Sequence, residues 1–368
     1  MKKQGKELMK KKNDVISPPA SDIDQARVSP ALLGDLQLLI ESTRIRVAVG
    51  INTEMVLLYW DIGDRIRKEI LGNERAAYGK KVIDGLADHL TLQYGSGFTR
   101  ANLFHMINFA EAFPDRKIVH TLCRQLSWSH FRSLLYVKNP LAREFYTEMC
   151  RLERWSVRTL QAKIQGMLFE RTALSKKPEE LARRELAALR DEDRMTPDLV
   201  FKSPYFLDFL GLSDTYSEKD LENSILRDLE RFILELGTDF SFVARQKRIT
   251  VDAEDYYIDL LFYHRKLRKL VVIDLKLGKF KAADKGQMEL YLRWLDKYDR
   301  QPGEEPPIGL VLCAGSSVGH VELLELEASS IRVAEYLTEL PPREMLEQKL
   351  KAAVEIARER LAEPRKEE

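Results

Sequence analysis

Near the C-terminal end of the chain runs an apolar stretch broken by two charges: Leu270-Val271-Val272-Ile273-Asp274-Leu275-Lys276-Leu277. Branched apolar residues without polar alternation mark a strand buried on both faces. Ionised side chains in such a strand are costly unless they pair or bind a metal. The chain therefore needs a central strand in a covered sheet, together with a reason for charge inside it. A conflict of this kind between local pattern and chemistry marks a functional site.

Alternation along the strand puts Asp274 and Lys276 on one face and Leu275 on the other. Tyr256 to His264 reads as a second strand, and the polar run Arg265-Lys266-Leu267-Arg268 reads as a hairpin between the two. A turn centred between Lys266 and Leu267 sets Asp259 opposite Asp274, with Cβ atoms roughly 4.5–5.5 Å apart. Two carboxylates that close repel, and one pKa rises unless a cation sits between them. A hard divalent ion relieves the repulsion; Mg²⁺ typically takes one or two carboxylates plus waters and phosphate oxygens. The turn carries no Asn-Gly pair or glycine, so it does not dictate the register itself.

Asp259 followed by Asp274-Leu275-Lys276 resembles the signature of the PD-(D/E)xK nuclease superfamily, and Gln287-Met288-Glu289-Leu290-Tyr291 resembles the Gln-x-x-x-Tyr motif of its RecB-like branches. The stretch from Phe242-Val243-Ala244-Arg245-Gln246-Lys247-Arg248-Ile249 through Pro307 to Cys313 resembles the YhcG family of bacterial nucleases. Resemblance extends from about Leu36 to Pro342. It implies an α+β chain of two domains: a mainly helical N-terminal domain and a C-terminal restriction-endonuclease-like domain. The core order there is helix–β–β–β–helix–β, a mixed sheet flanked by helices. It also implies a Mg²⁺- or Mn²⁺-dependent deoxyribonuclease, with a role in restriction, phage defence or mobile-element processing.

On that resemblance Asp259, Asp274 and the carbonyl of Leu275 hold the metal. Lys276 orients or helps activate a water and lends positive charge. Neighbouring carboxylates stabilise its charged form, so an electrostatic role fits better than a general base. Gln287 and Tyr291, spaced i, i+4, share a helix face and contact substrate backbone and an ordered water. A glutamate of the first helix completes the metal shell: Glu222 is the first choice and Glu230 the second. Arg245, Lys247 and Arg248 are candidates for phosphate contacts. A solvent-facing edge strand is the alternative reading of those three.

Length and charge bound the rest. The chain has 368 residues, enough for two domains, and a formal net charge of +1, so any nucleic-acid surface must come from local segregation of charge. Three cysteines without metal-ligand spacing fit a reducing cytoplasm. The absence of an 18-residue apolar run excludes a helical membrane span. A basic start with no apolar stretch after it is not a signal peptide.

The expected organisation is a flexible basic arm over 1–30, a helical DNA- or partner-binding domain over 31–195, a linker over 196–215, the nuclease domain over 216–345 and a charged helix over 346–368. Within the helical domain, a helix ending at Tyr94, the turn Gly95-Ser96-Gly97 and a helix from Arg100 to Phe113 outline a helix-turn-helix. Arg100, Asn102 and His105 then lie near the start of a recognition helix; a plain helical hairpin is the alternative. Gln125, His130 and Arg132 read as surface polar residues that could face phosphate, and Glu179 to Asp193 as a solvated connecting helix. DNA is the expected partner. A homodimer is a further expectation, since two cuts need two sites, as is a partner protein at the helical domain. Rival readings are a non-catalytic nucleic-acid-binding module and a DNA-binding regulator on a nuclease-like fold.

Overall fold

Apolar residues at three-to-four spacing, punctuated by capping residues, build the first half of the protein as helices. The computed structural model describes residues 30–71, 76–212, 215–315 and 330–362; all but the last residue of the expected basic arm lies outside them. The helices are α1 (Pro30–Leu71), α2 (Ala76–Tyr94), α3 (Arg100–Ala112), α4 (Arg116–Leu122), α5 (Trp128–Leu135), α6 (Pro140–Glu153) and α7 (Val157–Gln165). The short α8 (Leu168–Arg171) and α9 (Ala173–Lys176) lead into α10 (Glu179–Glu192). Side chains of Asp115, Asn139 and Ser156 accept hydrogen bonds from the first free N–H groups of α4, α6 and α7. The described residues divide into two units at Gly50–Ile51, inside α1.

Two expectations about this half are corrected. His130 is buried: its Nδ1 accepts from the Ser127 N–H at 3.0 Å, so its Nε2 carries the proton and donates to the Trp155 carbonyl at 3.0 Å. It closes the cap of α5 instead of facing solvent. The charge-dense α10 is no solvated connector, since Ala182, Leu186 and Leu189 are wholly buried in the helical core beside Phe145 and Phe169. Its charges occupy the other faces, and the apolar stripe wins.

The second half runs α11 (Pro197–Val200), β1 (Tyr205–Phe206), α12 (Glu218–Arg227), α13 (Leu229–Leu236), β2 (Phe240–Val251), β3 (Glu254–His264), β4 (Lys269–Lys279), α14 (Ala282–Tyr298), β5 (Glu305–Gly315), β6 (Ile331–Leu337) and α15 (Arg343–Ala362). Among the described residues the sheet has six strands in the order β1-β6-β5-β4-β3-β2. β2, β3 and β4 are antiparallel; β4, β5, β6 and β1 are parallel. The mixed sheet with flanking helices is the expected architecture. The 196–215 stretch, however, is no free linker. β1 adds to the sheet edge, and Phe201, Tyr205, Leu207 and Leu210 are buried in its core. The amphipathic run from Ser217 to Leu236 is two helices, broken at Asp228.

β4 and β5 are covered on both faces, which explains their unbroken apolar composition. Val271, Ile273 and Leu275 pack with Leu221, Ile225 and Phe232 of α12 and α13. Leu270, Val272 and Val311 pack with Met288, Leu292 and Leu295 of α14. Ion pairs tie the sheet to the helical half. Lys266, in the β3–β4 turn, bridges Glu153 of α6 and Asp239, and Arg171 of α8 meets Glu235 of α13 at 2.7 Å. No described helix is long and apolar enough to cross a membrane.

Two outcomes follow. A Cβ on Gly63 of α1 would lie 1.9 Å from the backbone oxygen of Met106 in α3. Gly63→Ala forces the helices apart at a cost of about 2–3 kcal/mol or more, read as a fall in Tm of roughly 5 °C or more. His264 is 2% exposed and its Nδ1 accepts from the Leu267 N–H at 3.1 Å. Burial pushes its imidazole down to about 4. With an unfolded-state value near 6.5, this group's contribution is present above that pH and is lost as pH falls toward 4, roughly 3 kcal/mol in all. Denaturant titrations should show the advantage of wild type over His264→Asn shrinking by that amount between pH 7 and pH 4.

Candidate active site at the β3–β4 fork

β3 and β4 pair from His264–Lys269 up to Leu260–Ile273, the register of a turn centred between Lys266 and Leu267. Pairing then stops, although both strands continue. β3 stays bonded to β2 as far back as Glu254, and β4 stays bonded to β5. The next residues in register, Asp259 and Asp274, stand at the mouth of the fork. Oδ2 of Asp259 accepts the Leu275 N–H at 3.0 Å, so a carboxylate takes the place of the missing ladder partner.

α14 holds the fork from behind. The Tyr291 hydroxyl donates to the Tyr257 carbonyl at 3.0 Å, and Gln287 Nε2 donates to the Tyr291 oxygen at 2.5 Å. The i, i+4 spacing brings the two side chains together as expected. Tyr291 is only 1% exposed, and it anchors the separated part of β3.

Charge inside the fork is concentrated and only partly compensated. Asp274 is 3% exposed, with its Oδ2 at 2.9 Å from Lys276 Nζ. Burial pushes its carboxyl up to about 6, with Asp259 and Asp284 adding repulsion against the attraction of Lys276. Burial alone would lower the Lys276 ammonium; Asp274, Glu218 and Asp259 outweigh it and carry its pKa above the ordinary lysine value. These neighbours favour the charged form of Lys276.

A third acid enters from α12. Glu222 is 6% exposed; its Oε1 lies 3.1 Å from Arg245 Nε and its Oε2 accepts from Gln246 Nε2 at 2.8 Å. The same Gln246 nitrogen donates to Asp259 Oδ1 at 3.2 Å, so one amide links two acids from different elements. Glu230, the second choice for this role, is exposed at the start of α13. Gln246 escaped the sequence reading because a glutamine in a basic strand looks like an ordinary surface residue. Its backbone is unusual: φ is 44°, a left-handed conformation in the middle of β2. An open cavity of about 390 Å³, lined by Glu218, Lys219, Glu222, Arg245, Gln246 and Asp259, gives access from solvent.

The donor set suits a hard cation. Oε1 of Glu222 and Oδ2 of Asp274 are buried oxygens at ion-pair distance from a cation yet without a hydrogen bond of proper geometry. Among the described residues no three His, Cys, Asp or Glu side chains stand grouped around one point. The fit is thus to an ion that takes one or two carboxylates and completes its shell with water.

The basic candidates are spread out. Arg245, with a side chain 47% exposed, lines the cavity. Lys247 pairs with Asp299 at 3.1 Å and Arg248 with Asp255 at 3.6 Å. Arg100 pairs with Asp84 at 2.8 Å and lies over the Phe104 ring. Asn102 donates to the Ser96 and Gly97 carbonyls at 3.3 and 3.2 Å, closing the turn before α3. His105 sits edge-on to Tyr136. The contacts of Arg100, Asn102 and His105 belong to the helical half, not to the fork.

Comparison with known proteins gives the family. Residues 198–351 match the family described as the YhcG PDDEXK nuclease domain, and residues 35–171 match the DUF1016 N-terminal domain. A protein of Escherichia coli (strain K12) named "Putative nuclease YhcG" is 37% identical over 344 residues, covering 85% of this chain and 91% of that protein. The crystal structure of a repair endonuclease from Pyrococcus abyssi aligns with 36% of this chain and 50% of its own, at 20% identity and a TM-score of 0.25. With its acidic fork inside the matched nuclease region and α2 to α8 inside the matched N-terminal domain, the chain belongs to the YhcG family of PD-(D/E)xK nucleases.

Proposed function

We propose that this protein is a Mg²⁺- or Mn²⁺-dependent deoxyribonuclease that hydrolyses phosphodiester bonds of DNA at the β3–β4 fork. The observation that carries the reading is the buried Asp274–Lys276 pair on a strand covered on both faces, set beside Asp259 where the ladder opens. A purely structural pair at that depth is a poor stabiliser, because desolvation offsets its attraction. Asp259, Asp274 and the Leu275 carbonyl would hold the ion, whose chemistry is polarisation of a phosphoryl oxygen and acidification of a water. The N–H and C=O of a strand residue leave on the same side. The Leu275 carbonyl therefore faces the gap where its N–H already meets Asp259.

The protein's own groups supply the rest. Lys276, held as a cation, orients the attacking water and offsets charge growing on the phosphate. Gln246 fixes the direction of the Asp259 and Glu222 carboxylates. Arg245 stands at the cavity rim, where it can exchange Glu222 for a phosphate oxygen. Arg100 and the α2–α3 hairpin, together with Lys247 and Arg248, are proposed as phosphate contacts along the DNA. A non-catalytic DNA-binding role is less well supported, because the Asp259, Asp274 and Lys276 set is complete.

Supercoiled-plasmid cleavage in Mg²⁺ or Mn²⁺ tests the proposal. Asp274→Ala should lower the rate at least about 10³-fold and Lys276→Ala at least about 10²-fold. Equal cutting by all three proteins, or none by wild type on duplex, single-stranded or branched DNA, would rule it out. Gln246→Gly separates positioning from folding. Glycine relieves a left-handed strain of roughly 1 kcal/mol, so Tm should hold or rise, while cleavage falls about tenfold or more and Mn²⁺ binding, followed by calorimetry, weakens. A wild-type rate and wild-type Mn²⁺ affinity in Gln246→Gly would remove Gln246 from the site and leave the nuclease reading intact.

A further inference from the structure

We infer that residues 35–50 of α1 form an interface on which a second copy of this chain packs, antiparallel to the first. Seven large apolar side chains between Leu36 and Val49 are exposed, including Leu38 at 71% and Ile45 at 62%. At about 100° per residue, Leu36, Ile40 and Val47 fall on one line along the helix, and Leu38, Ile45 and Val49 on the opposite one. A helix apolar on two sides offers a face for a neighbour on each, and the second copy is assigned to the line of Leu38, Ile45 and Val49.

Charge on the two remaining sides identifies the neighbour. One flank carries Glu41 followed by Arg44; the other carries Asp35 followed by Arg46. On each flank the acid is nearer the N-terminal end and the base nearer the C-terminal end. An antiparallel copy of the same helix sets Arg44 against Glu41 and Arg46 against Asp35, with both centres within about one turn of Ser42. A parallel copy sets like charge on like. Among the described residues these groups make exposed local contacts: Arg44 to Glu41 at 3.0 Å and Arg46 to Thr43 at 2.8 Å.

The chain's own N-terminal arm is the wrong occupant. Beyond Met1, its large apolar residues Leu8, Met9, Val15, Ile16, Ile23 and Val28 come as two adjacent pairs and two single residues, none with a partner three or four positions away, and Pro18-Pro19 interrupts them while Lys2, Lys3, Lys6, Lys10, Lys11 and Lys12 crowd the first pair. That is too sparse to cover either stripe.

Sedimentation and light scattering of the full chain at micromolar concentration test the interface, independently of any activity. The expected mass is that of two chains. Leu38→Glu with Ile45→Glu should give the mass of one chain, with the Tm of the 51–368 unit unchanged. Asp35→Arg should weaken pairing about tenfold, and adding Arg46→Asp to it should restore pairing, because the exchanged charges still meet in an antiparallel pair. A single-chain mass for wild type, whether the stripe is covered by the chain's own arm or by a different protein, overturns the proposal. So does a Leu38→Glu/Ile45→Glu variant that stays paired, and a charge exchange that fails to restore pairing overturns the antiparallel arrangement.

Discussion

The structure of the site depends on one interaction, the hydrogen bond from the Leu275 N–H to the Asp259 carboxylate. A sheet ladder that stops early leaves a donor exposed inside the protein, and an unpaired buried N–H costs about as much as a lost hydrogen bond. Here a side chain replaces the backbone acceptor. The strands separate without that penalty, and the separation leaves Asp259 beside the buried Asp274–Lys276 pair in an otherwise dry layer. Tyr291, bonded to Tyr257, keeps the released strand from closing again.

Electrostatics then follows from geometry. Asp274 lies where water is scarce and two further acids are near, and Lys276 alone does not neutralise it. Gln246 adds donors without adding charge. It directs Glu222 and Asp259 while leaving the net negative potential in place, at the cost of a left-handed backbone in the middle of β2. A lysine or arginine at that position would cancel the potential that a cation answers.

Much of this was legible from residue order alone. The apolar run of β4 and its two charges predicted a covered central strand, and a turn centred between Lys266 and Leu267, one of the registers the polar run allowed, is the one the paired residues adopt. Local patterns carry such information because strand alternation is a short-range property. Long-range effects were not legible. The Pro- and Ser-containing stretch from 196 to 215 reads as a linker, yet burial of Tyr205 and Leu207 draws it into the sheet. The helix from Ser217 looks continuous and breaks at Asp228, where two helices cover different parts of one face. Gln246 was invisible because its role depends on a backbone angle that no composition signals.

The turn that joins β3 to β4 carries Lys266, and Lys266 is gripped by Glu153 of the helical half. The two strands thus behave like tongs, clamped at the handle by one domain and parted at the tips around the acids. The helical half touches the hairpin at the end opposite the acids, and what it fixes there is the turn.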